Sequence, residues 1–111
     1  MPFEFGDIIL VPFPFTNQAA LKRRPAVVVS NRSYGLIRRD VIVMAITSQM
    51  SANPALAEVA VAQWQSSGLL KPSTIKPVFA TLEQRLVLRQ LGQLDQLDRD
   101  ALRAGIGRIL G

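Results

Sequence analysis

The 111-residue sequence contains neither cysteine nor histidine. Without cysteine the chain can form no disulfide and no thiolate metal site, and it is compatible with a reducing compartment. Without histidine it also lacks the commonest general base and the commonest zinc ligand. Any catalysis by this chain must therefore use Arg, Lys, Asp, Glu, Ser, Thr or Tyr side chains.

Long apolar runs are missing as well. The longest one, residues 8–15, is interrupted by Pro12 and Pro14 and is far too short to span a membrane. Residues 1–7 carry acids and no basic stretch, which argues against a signal peptide. We therefore expect a single domain over residues 1–111 that works in the cytoplasm without membrane contact.

The net charge of +5 is unevenly distributed along the chain. Residues 22–39 hold six cations and no acid, whereas the acids and arginines of residues 90–111 cancel. A basic block of this kind suits a polyanionic partner, because phosphate contacts supply most of the non-specific affinity of proteins for nucleic acids. The ordinary alternative is a charged face that only keeps the protein soluble.

Short β-branched runs separated by turn residues predict a mainly β fold. We predict strands at residues 8–13, 25–30, 40–46, 58–62 and 73–82, a basic loop at 16–24 and a turn at 31–35. The continuous apolar run after Pro25 indicates a strand that is buried on both faces. Helical spacing begins only after Asp95, which is placed to cap a C-terminal helix that must pack on the sheet. Five or six short strands and one terminal helix favour a small, strongly bent antiparallel barrel.

Five groups of residues occur in an order that resembles the MazF/PemK family, the toxin components of bacterial toxin–antitoxin modules. The groups are residues 5–11 with 13–16, residues 22–31, residues 45–48, residues 68–73, and residues 80–86 with 91–94. The resemblance covers almost the whole chain. It implies an SH3-like barrel with a C-terminal helix, usually a homodimer, and a toxin of a type II module that a cognate antitoxin protein neutralises.

The resemblance also implies a metal-independent endoribonuclease without a cofactor. Family members cut single-stranded RNA, including mRNA, by attack of the ribose 2′-hydroxyl on the adjacent phosphorus, which leaves a 2′,3′-cyclic phosphate and a 5′-hydroxyl. The family's functional arginine falls on Arg24 and its threonine on Thr47. A planar guanidinium suits the charged equatorial oxygens of a phosphorane, and a β-branched threonine holds its hydroxyl with little entropy loss. The general base has no assignment.

Five further residues are candidate RNA contacts: Lys22, Arg23, Ser48, Gln49 and Arg85. Lys22 and Arg23 precede Arg24 and suit phosphate contacts, with plain solvation as the alternative. Ser48 and Gln49 follow the candidate threonine and suit substrate contacts. Arg85 fits either an RNA groove or a structural ion pair.

The only large amphipathic aromatics, Tyr34 and Trp64, are candidate stacking platforms for RNA bases, with core or dimer packing as the alternative for Trp64. Residues 17–21 lack the Gly and Glu that many relatives carry there, so the RNA sequence that the protein prefers and its activity stay open at that loop.

A second class of function also stays open, a non-catalytic barrel toxin that binds a protein target such as DNA gyrase or holds RNA uncut. The absence of an aromatic residue at positions 107–111 weighs against gyrase.

Overall fold

The computed structural model of the chain describes residues 3–13, 22–48 and 58–111. The strands are β1 (Asp7–Phe13), β2 (Lys22–Val28), β3 (Asp40–Thr47), β4 (Val59–Ala60), β5 (Thr74–Glu83) and β6 (Arg89–Gln93). The helices are α1 (Arg32–Arg38) and α2 (Gln96–Leu110), with a 3₁₀ turn at Gln84–Leu86. The fold is therefore mainly β with a C-terminal α-helix, as the sequence predicts.

The six strands form one antiparallel sheet in the order β4-β5-β3-β2-β1-β6. Its register shifts between Ile8 and Ile9 on β1, and again between Met44 and Ile46 on β3. Irregularities of this kind bend a strand and increase its local twist, which lets a small sheet curl around a core. The curled antiparallel sheet confirms the predicted fold class.

Strands β1, β2 and β3 are buried on both faces. Ile8 and Val27 belong to one core, Ile9 and Val28 belong to the other, and all four are fully buried. Because adjacent residues of a strand point to opposite faces, a strand with two cores needs an unbroken apolar run rather than an alternating one. Two-sided burial, predicted for residues 25–30, is confirmed for residues 26–28.

Helix α2 covers the first of these cores. Leu102 is fully buried there, and Ile106 and Ile109 pack against the same cluster. Asp95 occupies the N-cap position as predicted, but its carboxylate accepts a hydrogen bond from the Ser66 hydroxyl, 2.9 Å away. In the part of the chain that the structure describes, no helix has the length and apolar character needed to cross a membrane.

Three local predictions were wrong. Strand β2 begins at Lys22 rather than at residue 25, because its basic start pairs with β1 in a register that sets Arg24 against Val11. Residues predicted as a turn at 31–35 begin helix α1, which Asn31 caps by accepting a 2.8 Å hydrogen bond from the Tyr34 amide. Strand β6 was not predicted at all, since its sequence Arg-Gln-Leu-Gly-Gln carries no β-branched residue.

Candidate active site

The antiparallel pairing of β2 and β3 brings the two candidate catalytic residues to one end of the sheet. Ala26 pairs with Ala45. Arg24 precedes Ala26 by two residues near the start of β2, and Thr47 follows Ala45 by two residues as the last residue of β3, so both lie at the same end of this strand pair. Both side chains are half-buried, so each is partly ordered by its surroundings and still accessible.

Arg24 and Thr47 line one groove of about 340 Å³. Its apolar floor comes from the strands, with Leu10, Ile46 and Leu91 among its residues. One wall is formed by the chain segment 68–71, which leaves a tight turn and runs along the end of the sheet. The groove is therefore built by five separate parts of the sequence, and only the fold brings them together.

The charged side chains that line the groove, within the described residues, are all cations: Arg24, Lys71 and Arg89. Hydroxyl groups of Thr47, Ser48 and Ser73 lie among the same lining residues. Cations placed beside hydroxyl donors match a phosphodiester, whose oxygens carry negative charge and accept hydrogen bonds.

Sequence reasoning missed Lys71 and Arg89. Lys71 stands in the segment 68–73 that carries the family resemblance, so its position was a usable signal. The sequence carried no such signal for Arg89, because this residue belongs to the unpredicted strand β6, where it pairs with Leu10. Arg89 lies in the groove only because β6 pairs with β1.

The other predicted site residues lie in different parts of the protein. Ser48 lines the groove, whereas Gln49 lies outside the described residues. Lys22 and Arg23 are exposed on β2 next to Arg24, and neither is a lining residue of the groove. Their roles in RNA binding stay predictions.

Arg85 lies apart from the groove. It forms an exposed ion pair with Glu83, with 3.0 Å between Nε and Oε2. Both residues line a wider cavity of about 950 Å³ beside α1 and the 3₁₀ turn, at the other end of β2 and β3. The ion pair matches one of the two alternatives that the sequence left open for this arginine, and a role of Arg85 in RNA binding stays a prediction.

The six-cation block is also divided between the two ends of the sheet. Its first three members lie at the start of β2, and the others, Arg32, Arg38 and Arg39, lie on or just after α1. Tyr34 belongs to α1, and Trp64 packs against the first core. Neither aromatic residue lines the groove.

No group of three or more His, Cys, Asp or Glu side chains suited to a metal ion occurs in residues 3–13, 22–48 and 58–111. The chemistry on offer in the groove is that of guanidinium, ammonium and hydroxyl groups. Such groups bind anions and stabilise developing negative charge.

Residues 4–110 match the family model for the PemK-like, MazF-like toxin of type II toxin-antitoxin systems. No curated protein is similar enough in sequence to count as a match. The match to the family model spans all of the groove residues named above.

Solved structures share the fold at low sequence identity. MazF from Deinococcus radiodurans has a TM-score of 0.76 at 21% identity, over 100% of this chain and 98% of that one. A mycobacterial endoribonuclease in complex with its cognate antitoxin has a TM-score of 0.78 at 17% identity, over 97% and 94%. Mycobacterium tuberculosis toxin MazF-mt6 has a TM-score of 0.74 at 23% identity, over 92% and 93%.

Proposed function

The chain belongs to the PemK-like, MazF-like toxins of type II toxin-antitoxin systems, and from that premise we propose that it is a metal-independent endoribonuclease that cuts single-stranded RNA. The observation that carries the proposal is the shared groove of Arg24 and Thr47, which three cations and several hydroxyl groups line. A structural relative is itself named an endoribonuclease. Other barrel toxins that bind a protein target would not need this combination of groups.

The combination of apolar and charged surface in the groove supports RNA as the substrate. Its floor is apolar, and Leu70 beside Lys71 is 93% exposed at its rim. Unpaired bases offer flat apolar faces and phosphates offer charge, so a nucleotide chain satisfies both kinds of surface at once. A duplex would hide its base faces, which favours a single strand.

The proposed reaction uses the substrate's own nucleophile. The ribose 2′-oxygen forms a bond to the adjacent phosphorus and loses its proton to solvent, while the bond from phosphorus to the 5′-oxygen breaks. The leaving 5′-oxygen takes a proton, so the products are a 2′,3′-cyclic phosphate and a 5′-hydroxyl. Arg24 would donate hydrogen bonds to the phosphorane oxygens, and Thr47 would hold a phosphate oxygen or the 2′-hydroxyl in place.

Two protein partners follow from family membership. We propose a cognate antitoxin whose acidic segment covers the basic groove. We also propose a homodimer, because apolar Leu36 and Ile37 of α1 are 61% and 80% exposed and Phe79 of β5 is 37% exposed. Light scattering should then give about twice the chain mass of 12.2 kDa, and a monomer mass would contradict the dimer.

Incubation of the purified protein with a mixed single-stranded RNA in excess EDTA tests the proposed activity. We expect cleavage at selected sequences, and we expect 5′ ends that a polynucleotide kinase labels without prior phosphatase treatment. RNA that stays intact would exclude the activity, and products with 5′-phosphates would exclude the chemistry.

A further inference from the structure

The first turn of helix α2 carries a buried carboxylate that the proposed chemistry does not use. Asp98 is 1% exposed. Its Oδ1 accepts a hydrogen bond from the Ala62 amide at 2.9 Å, and its Oδ2 accepts one from the Gln63 amide at 2.8 Å. A buried carboxylate is costly unless hydrogen bonds satisfy it, so this arrangement specifies where residues 62–63 must lie.

These two amides lie at the start of a tight turn that internal hydrogen bonds stabilise. The Gln63 carbonyl accepts from both the amide and the hydroxyl of Ser67, at 3.1 and 2.8 Å. The Leu69 amide then donates to the Trp64 carbonyl at 3.1 Å. Ser67 is completely buried, and hydrogen bonds connect it through Gln63 to Asp98 at the start of the turn.

The C-terminal end of the turn is in close backbone contact with strand β6. Gly68 has φ of +90°, and a Cβ atom there would lie 2.1 Å from the Leu91 carbonyl oxygen. A Cβ atom on Gly92 would likewise lie 2.2 Å from the Ser67 carbonyl oxygen. Both positions therefore need glycine, and the close approach fixes the turn relative to the strand that carries Arg89.

The residues that follow this turn are the groove wall 68–71, which includes Lys71. Asp98 itself does not line the groove. We propose that Asp98 is a positioning residue, which sets the groove wall at the distance from Arg24 and Thr47 that a bound RNA strand requires. This inference rests on the proposed function, because it assigns to the helix the task of shaping an RNA site.

Asp98→Asn tests the inference with little change in volume. The asparagine amide keeps one acceptor oxygen but places an NH₂ group opposite a backbone N–H donor. One of the two hydrogen bonds from residues 62–63 is therefore lost. We expect KM for a defined RNA to rise about 10-fold with a smaller change in kcat, since a remote displacement of the wall weakens substrate contacts. Asp100→Asn is the matched control, because that residue of the same helix is exposed, accepts a hydrogen bond from the Gln96 side chain and does not line the groove, so its replacement should leave KM unchanged.

A double-mutant cycle separates positioning from general destabilisation. If Asp98 acts through the wall, Asp98→Asn should change KM by less than about twofold in a Lys71→Ala background. Full additivity of the two effects, or a wild-type KM in the single variant, would overturn the inference. Should Asp98→Asn fail to fold, Ser67→Ala removes a bond inside the same turn and should show the same coupling to Lys71.

Binding of a fluorescently labelled single-stranded RNA keeps the two proposals distinguishable. A wild-type protein that binds this RNA without cutting it would overturn the nuclease but not the positioning role, provided that Asp98→Asn weakens binding about 10-fold and remains coupled to Lys71. A wild-type protein that cuts, alongside an Asp98→Asn variant with unchanged binding and KM, would overturn only the positioning role. Failure to bind any RNA would overturn both.

Discussion

Replacement of Arg24 by alanine should lower kcat for RNA cleavage about 100- to 1,000-fold. The guanidinium lies in the groove beside Thr47, where it can give two parallel hydrogen bonds to the phosphorane oxygens. These bonds strengthen as negative charge develops, so their loss should appear in kcat more than in KM. Single-turnover kinetics on a defined RNA oligonucleotide measures the effect.

Arg23→Ala is the matched control for that variant. It removes the same charge from the adjacent position of β2, but Arg23 is exposed and does not line the groove. We expect a change of about threefold or less in kcat, with a modest rise in KM from the weaker phosphate attraction. Equal losses in the two variants, or a fully active Arg24→Ala protein, would contradict the assignment of Arg24.

The rate of cleavage should rise about 10-fold for each pH unit between about pH 6 and 8.5. Asp, Glu and His are the side chains that commonly act as bases in this range, and none of them lines the groove in the described part of the chain. Residues 14–21 and 49–57 contain no Asp, Glu or His either. Deprotonation of the 2′-hydroxyl is then left to hydroxide, whose concentration grows 10-fold per unit.

Single-turnover rates at saturating enzyme test this pH dependence, because they report the chemical step rather than RNA binding. The uncatalysed hydrolysis of the same RNA in each buffer supplies the background. A bell-shaped profile, or a plateau that begins near neutral pH, would show that a titrating group assists the reaction. Such a result would contradict a groove that works with cations and hydroxyls alone.

Most of the fold could be predicted from local pattern. The β-branched runs at β1, β2 and β3 identify buried strands, and the helical spacing after Asp95 identifies α2. Two of the wrong predictions, the start of β2 and the whole of β6, concern segments whose structure depends on a partner strand elsewhere. Strand β6 lacks β-branched residues and exists because it pairs with β1. Helix α1 begins at an Asn31 cap that looks like a turn in sequence.

The site was predictable only in part for the same reason. Arg24 and Thr47 stand beside recognisable strands, and family resemblance pointed to both. The role of Arg89 in the groove depends on the unpredicted pairing of β6, and the contact of Asp98 with residues 62–63 spans more than 30 positions along the chain. Local sequence carries no signal for contacts of this separation, so it does not show that Asp98 is buried against residues 62–63.

A single 2′-deoxy substitution in the RNA tests the central claim most directly. In an oligonucleotide with one cleavage site, the nucleotide on the 5′ side of the cut is replaced by its 2′-deoxy form, which removes the nucleophile and leaves every phosphate and base in place. We predict that this RNA binds the protein with nearly unchanged affinity and is not cut at that position. Cleavage of the 2′-deoxy bond at a rate comparable to that of the all-ribose bond would contradict the account.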